Sequence, residues 1–143
     1  MVILPGFGDS GKGRKKQKKF FSNKGYDLYI PKYKHRKSFK GTIDNFAAFF
    51  KKHELNKYKK VHIFSYIMGS WVINQFIQQN GKGNIATIVY NRSPLQERAP
   101  RVAVEKIPCI SKMYIGKVIF DMSEMPYPSI EQQGIRMGII VES

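Results

Sequence analysis

Two short stretches of the chain hold residue types at spacings that organise chemistry in other settings. The first is Leu4-Pro5-Gly6-Phe7-Gly8-Asp9-Ser10-Gly11-Lys12-Gly13. Gly6-x-Gly8-x-x-Gly11 has the spacing with which a glycine-rich turn brings backbone amides up to a pyrophosphate. Gly6-x-x-x-x-Gly11-Lys12 supplies most of a loop whose amides and lysine cradle phosphates. A phosphate-binding reading therefore rests on Gly6, Gly8, Gly11 and Lys12. It lacks two parts: Gly13 stands where a hydroxyl would reach magnesium, and the next apolar run ends in Ile30-Pro31-Lys32 instead of an acidic residue for a ribose. Lys32, Lys34 and Arg36 could hold a ribose phosphate, and Val118-Ile119-Phe120-Asp121 imitates an acidic strand end that binds magnesium.

The second stretch is Val61-His62-Ile63-Phe64-Ser65-Tyr66-Ile67-Met68-Gly69-Ser70-Trp71-Val72-Ile73. An apolar, β-rich run meets small residues. A helical pattern follows, with Val72, Ile73, Phe76 and Ile77 on one face and Gly81 as its C-cap. A strand that turns sharply into a helix is a place to hold a nucleophile above a sheet. The stretch resembles in shape the nucleophile elbow of α/β-hydrolases; with Gly69 as that motif's closing glycine, the nucleophile position holds Ile67 and Ser65 replaces the opening glycine. Isoleucine has no atom to attack with and no proton to give. Its β-branch also resists positive φ, so a relaxed bend is expected. Ser65 and Ser70 would each put the closing glycine at the wrong offset.

The elements that must position these stretches alternate. Strands are expected at 1–4, 26–30, 61–64 and 84–90, with a weaker one at 117–120 and a last one at 137–141. Helices are expected at 14–23, capped by Gly25, from Thr42 as N-cap to about Leu55, and at 69–80. Strands alternating with helices of this length make an α/β fold, a parallel sheet with helices on both faces. At 143 residues the chain reads as a single domain, 1–143.

Its net charge of +15 is uneven: residues 1–60 hold 17 Lys and Arg against 4 Asp and Glu, the remainder 8 against 6. Arg14, Lys15, Lys16, Lys18 and Lys19 form the densest run, suited to an anionic surface or polymer, with Phe20 and Phe21 beside it. Tyr26, Tyr29 and Tyr33 interleave with further cations and could stack bases. One cysteine, Cys109, excludes an internal disulfide and a cysteine-rich zinc site, and between Pro108 and Ile110 it reads as a buried, inert thiol. No metal or cofactor is expected. The chain shows no secretory leader, and its longest near-apolar run, 61–73, is too short to span a bilayer, so a cytoplasmic protein is expected.

Taken together, the two stretches resemble the oxyanion turn and nucleophile elbow of esterase- and lipase-like α/β-hydrolases. Leu4-Pro5-Gly6-Phe7-Gly8 is similar to the family's His-Gly-Phe-Gly turn, with Pro5 for His. The bend at 65–69 follows a strand and two helices later, at the family's spacing. The resemblance covers residues 1–93, and Ser93-Pro94 resembles a turn found at that place in the family. It implies that the four strong strands are the family's third to sixth, in spatial order 4-3-5-6, and that the Phe7 and Met68 amides are the oxyanion donors. Asp121 falls roughly where the family's acid would come. The histidines, His35, His53 and His62, all precede the bend, whereas the family's catalytic histidine follows the last strand. His62 reads as a satisfied core or helix-packing residue, and His53 as a helix cap or a solvated side chain. The chain lacks the family's first two strands and is expected to lack its last, as a truncated domain would. The outer strands would then present unpaired edges that favour self-association. The resemblance thus implies a hydrolase-like protein without hydrolytic activity in this form.

Overall fold

The computed structural model describes residues 1–6, 10–32, 38–93, 98–111, 113, 116–130 and 134–141. Four strands, β1 (Val2–Leu4), β2 (Val61–Tyr66), β3 (Ile85–Asn91) and β4 (Arg136–Ile140), form one sheet in the order β1-β2-β3-β4. Every pairing is parallel. Leu4 is level with Ser65 and Ile3 with Phe64, so the two motif-bearing strands are neighbours. The helices are α1 (Gly11–Phe21), α2 (Phe39–Lys52), α3 (Met68–Asn80), α4 (Arg98–Lys106), the single turn α5 (Pro108–Ile110) and α6 (Lys117–Ser123).

Alternation along β2 sorts the two faces. Val61, Ile63 and Ser65 are buried, while His62, Phe64 and Tyr66 are only partly covered. The buried face joins Val2, Leu4, Ile88 and Tyr90 to Phe39, Ile43 and Phe46 of α2, Trp71 to Phe76 of α3, and Val118 and Met122 of α6. The other face is more open along β2, although Ile3 of β1, level with Phe64, is fully buried there. Helix α1 buries none of its residues and touches the sheet through Phe21 against Phe64, 6.4 Å between ring centres. Parallel crossovers are right-handed, so a connection running outward from β1 and one running back to β2 lie on opposite faces.

Several sequence expectations are corrected. The 26–30 segment pairs with β1 only at Tyr29, whose amide and carbonyl bond Met1 and Ile3. Pro31 has no N–H to extend the ladder. The N-cap of α2 is Ser38, which accepts from the Gly41 amide, and Thr42 lies buried inside the helix with its hydroxyl donating to the Ser38 carbonyl. The 117–120 run is helical, as α6. β4 pairs beside β3 and covers the edge expected to be bare, while itself exposing Met137, Ile139 and Ile140 at 51%, 60% and 45%. Cys109 is free and exposed, because α4 and α5 bury only Pro100 between them.

One buried polar chain ties β3 to the start of α3. Tyr90 donates to Asn74 Oδ1 at 2.7 Å, and Asn74 Nδ2 donates to the Tyr127 hydroxyl at 2.9 Å. Tyr127 also hydrogen-bonds Ser70, whose hydroxyl donates to the Ile67 carbonyl at 2.8 Å. Pairing is what makes burying these groups tolerable. Trp71 Nε1, packed edge-on to Phe39 and Tyr127, is the exception among the described residues: buried and without an acceptor.

Burial pushes the Tyr127 hydroxyl up to about 12 against the opposing hydrogen bonds from Ser70 and Asn74. Burial, and then the neighbouring Tyr127, hold Tyr90 well above the ordinary tyrosine range. The folded state therefore keeps protons that the unfolded chain releases near pH 10. Stability from this source is complete below pH 10 and falls between pH 10 and 12, by up to about 1 kcal/mol per pH unit for each tyrosine. Urea midpoints measured from pH 8 to 11.5 should drop more steeply in the parent than in Tyr127→Phe; parallel slopes would contradict this.

Candidate functional site

The strand β2 runs straight into α3 through one residue, Ile67, at φ 42° and ψ −104°. The bend is not relaxed. A β-branched residue occupies a backbone region that favours glycine, at a cost on the order of 1–3 kcal/mol. The Ile67 amide donates to the Asn91 carbonyl, and its own carbonyl accepts from the Ser70 amide and hydroxyl. These bonds hold the turn from both sides.

Two glycines make room for it. A Cβ on Gly69 would stand 2.8 Å from the Leu4 carbonyl oxygen, so only glycine lets α3 approach β1 this closely. A Cβ on Gly6 would stand 3.3 Å from Ile67 Cβ. Gly6, just after β1, therefore meets the bend after β2, and the side chain it meets is Ile67. Helix α3 opens at Met68 with no side-chain cap, which leaves the first-turn amides beside the bend. Met68 itself is fully buried. Phe7, the other expected oxyanion donor, and Gly8 lie outside the described residues, as do Tyr33, Lys34, His35 and Arg36.

The remaining candidates are dispersed. Ser65 points into the core and donates to the Val89 carbonyl at 3.1 Å. Gly11 begins α1, whose N-cap Ser10 accepts from the Gly13 amide, and Lys12 is exposed in the first turn. The basic residues Arg14, Lys15, Lys16, Lys18 and Lys19 lie along α1. Asp121 lies on α6, not at a strand end. Its Oδ2 accepts from the Phe39 amide at 2.8 Å, its Oδ1 pairs with Lys117, and its charge favours the N-terminus of α2. Ser93 donates to the Asn91 carbonyl, five residues before α4 begins. His53 caps α2 at its C-terminus, against Phe49 and Tyr29. Of the two readings of His62 the core one is overturned: the residue is half-buried, edge-on to Tyr26, and about 16 Å of strand from Ile67.

Among solved structures, the chain is similar to a thermophilic esterase from Thermogutta terrifontis, with a TM-score of 0.56 and 13% sequence identity. The match covers 88% of this chain and 64% of the esterase, so the chain spans less than two thirds of that neighbour. At this identity the likeness concerns the fold. No protein-family model matches the sequence, and no curated protein matches it. No helix among the described residues is long and apolar enough to cross a membrane.

The geometry at the bend makes two predictions for urea unfolding. At ordinary helix or strand sites glycine is less stable than alanine by roughly 0.5–1 kcal/mol. At position 67 the order should reverse, with Ile67→Gly more stable than Ile67→Ala by about 1 kcal/mol or more. Gly69→Ala should lose about 1–3 kcal/mol, because α3 must move off the Leu4 carbonyl.

Proposed function

We propose that this chain is an esterase- or lipase-related scaffold of the α/β-hydrolase type that does not carry out acyl transfer. Ile67 carries this reading. It occupies the tip of a strained strand-to-helix bend, at φ 42°, where the fold's chemistry places a nucleophile. In this reading Ile67 is the nucleophile-equivalent residue, and the Met68 and Phe7 amides are the remnants of an oxyanion site. A hole of this kind stabilises charge only where an activated oxygen or sulfur attacks a carbonyl, and an sec-butyl side chain cannot do so. The described histidines, His53 and His62, serve a helix end and the opposite part of β2, so neither is placed to deprotonate a residue at 67.

The fold match, the meeting of Gly6 with Ile67 and the uncapped start of α3 support the ancestry. The aliphatic side chain supports the loss of turnover.

Purified protein should release no more product from short-chain chromogenic acyl esters than buffer does. Ile67→Ser should remain inactive in the same assay, since a hydroxyl without a base is a weak nucleophile. Hydrolysis that survives Ile67→Ala but disappears in Ser65→Ala would relocate the nucleophile and overturn the proposal.

A further inference from the structure

The bend stands at the carboxyl ends of β1 and β2. The opposite end of the sheet holds a cleft of about 360 Å³, which is within the size range of small-molecule sites. Three segments build it: residues 59–62 leading into β2, the turn 82–87 leading into β3, and residues 134–136 at the start of β4. Lys59, Lys60, Lys82 and Arg136 line it, with His62 and Thr87 on the strands between them. Among the described residues no carboxylate lines the cleft, and none forms an ion pair with these four cations. Like charges gathered in a concavity without counter-charge raise its positive potential and attract anions.

The walls are fixed by the protein itself. The Asn84 side-chain amide donates to the Leu55 carbonyl at 2.8 Å and to the Tyr58 carbonyl at 2.6 Å, which joins the β3 turn to the segment that leads into Lys59 and Lys60. The Ile85 amide closes the turn on the Lys82 carbonyl, and the Val61 amide donates to the Asn84 carbonyl. Lys82 Nζ reaches across to Gly134, where a Cβ would stand 3.0 Å away and where φ is +66°. Cations on a framework held in this way lose less freedom when a ligand arrives.

We propose that this cleft binds the linked phosphates of a small oligophosphate. Four cations drawn from three segments surround a space larger than one phosphate, so a di- or triphosphate uses them together. A nucleic-acid strand fits less well: such sites interleave cations with stacking aromatic side chains, and no Phe, Tyr or Trp lines this cleft among the described residues. The site is independent of the bend and of whether any ester is hydrolysed.

Calorimetric titration of the full chain at low salt tests this, with inorganic triphosphate, ATP, orthophosphate and a single-stranded oligonucleotide as probes. Inorganic triphosphate and ATP should both bind, more tightly than orthophosphate, and more weakly as salt rises. Equal affinity for the two means that the phosphates alone are recognised; tighter ATP means that the nucleoside also contributes, and either result supports the proposal. Lys82→Glu with Arg136→Glu should weaken triphosphate binding by about tenfold or more, and Lys82→Gln with Arg136→Gln should weaken it less. Measured at about 0.15 M salt, where charges farther apart than about 8 Å are largely screened, Arg98→Glu with Lys106→Glu on α4 makes the same charge change as the first pair and should leave triphosphate binding within about twofold. Absence of triphosphate binding, equal losses in the cleft and α4 variants, or tighter binding of the oligonucleotide than of triphosphate would each overturn the proposal.

Discussion

A β-branched residue at positive φ persists in a folded chain only when its surroundings leave it no other conformation, and that condition governs the centre of this molecule. Ile67 is fixed by the Asn91 carbonyl on its amide, by the Ser70 amide and hydroxyl on its carbonyl, and by Gly6 against its side chain. The Gly69 approach to the Leu4 carbonyl sets how close α3 lies to the sheet. The buried chain through Asn74, Tyr127 and Tyr90 then connects the same turn to β3. The strain at one residue is thus balanced by packing and hydrogen bonds spread over both central strands and their connecting helix.

The two ends of the sheet differ in character as a result. At the carboxyl ends of β1 and β2, Gly6 lies against the aliphatic side chain of Ile67 and Gly69 against Leu4. At the amino end the turns before β2, β3 and β4 stand apart, and lysine and arginine side chains line the space between them. Parallel strands start at one end and finish at the other, so residues that each precede a strand are gathered together however far apart they stand in the chain. Lys60, Lys82 and Arg136 illustrate this: each lies just before or at the start of a different strand, and all three line one cleft.

Much of the scaffold can be read from the residues alone. The β2–bend–α3 stretch is long and strongly patterned, and its type and order are as its periodicity predicts. The readings that differ from the structure concern short or two-faced segments. Val118-Ile119-Phe120 is apolar enough for a buried strand or a buried helix, and its packing with α2 and α4 makes it helical. Tyr29 alone of its segment finds a partner on β1. Ser38 outcompetes Thr42 as a cap because Thr42 is needed in the core. Cys109 sits among apolar neighbours in sequence, yet its single helical turn lies on the surface.

By itself, the amino-acid sequence determined the alternation of strands and helices, the concentration of positive charge, the small residues at the bend and the absence of a nucleophile at position 67. These are properties of residue type and local spacing, and no long-range contact is needed to establish them. The tertiary structure alone decided that Ile67 takes a strained backbone, that Gly6 meets it, that Asp121 serves a helix terminus, and that cations from three distant segments line one cleft. Each of those depends on strand order and on contacts between residues far apart in the chain, which local periodicity does not encode.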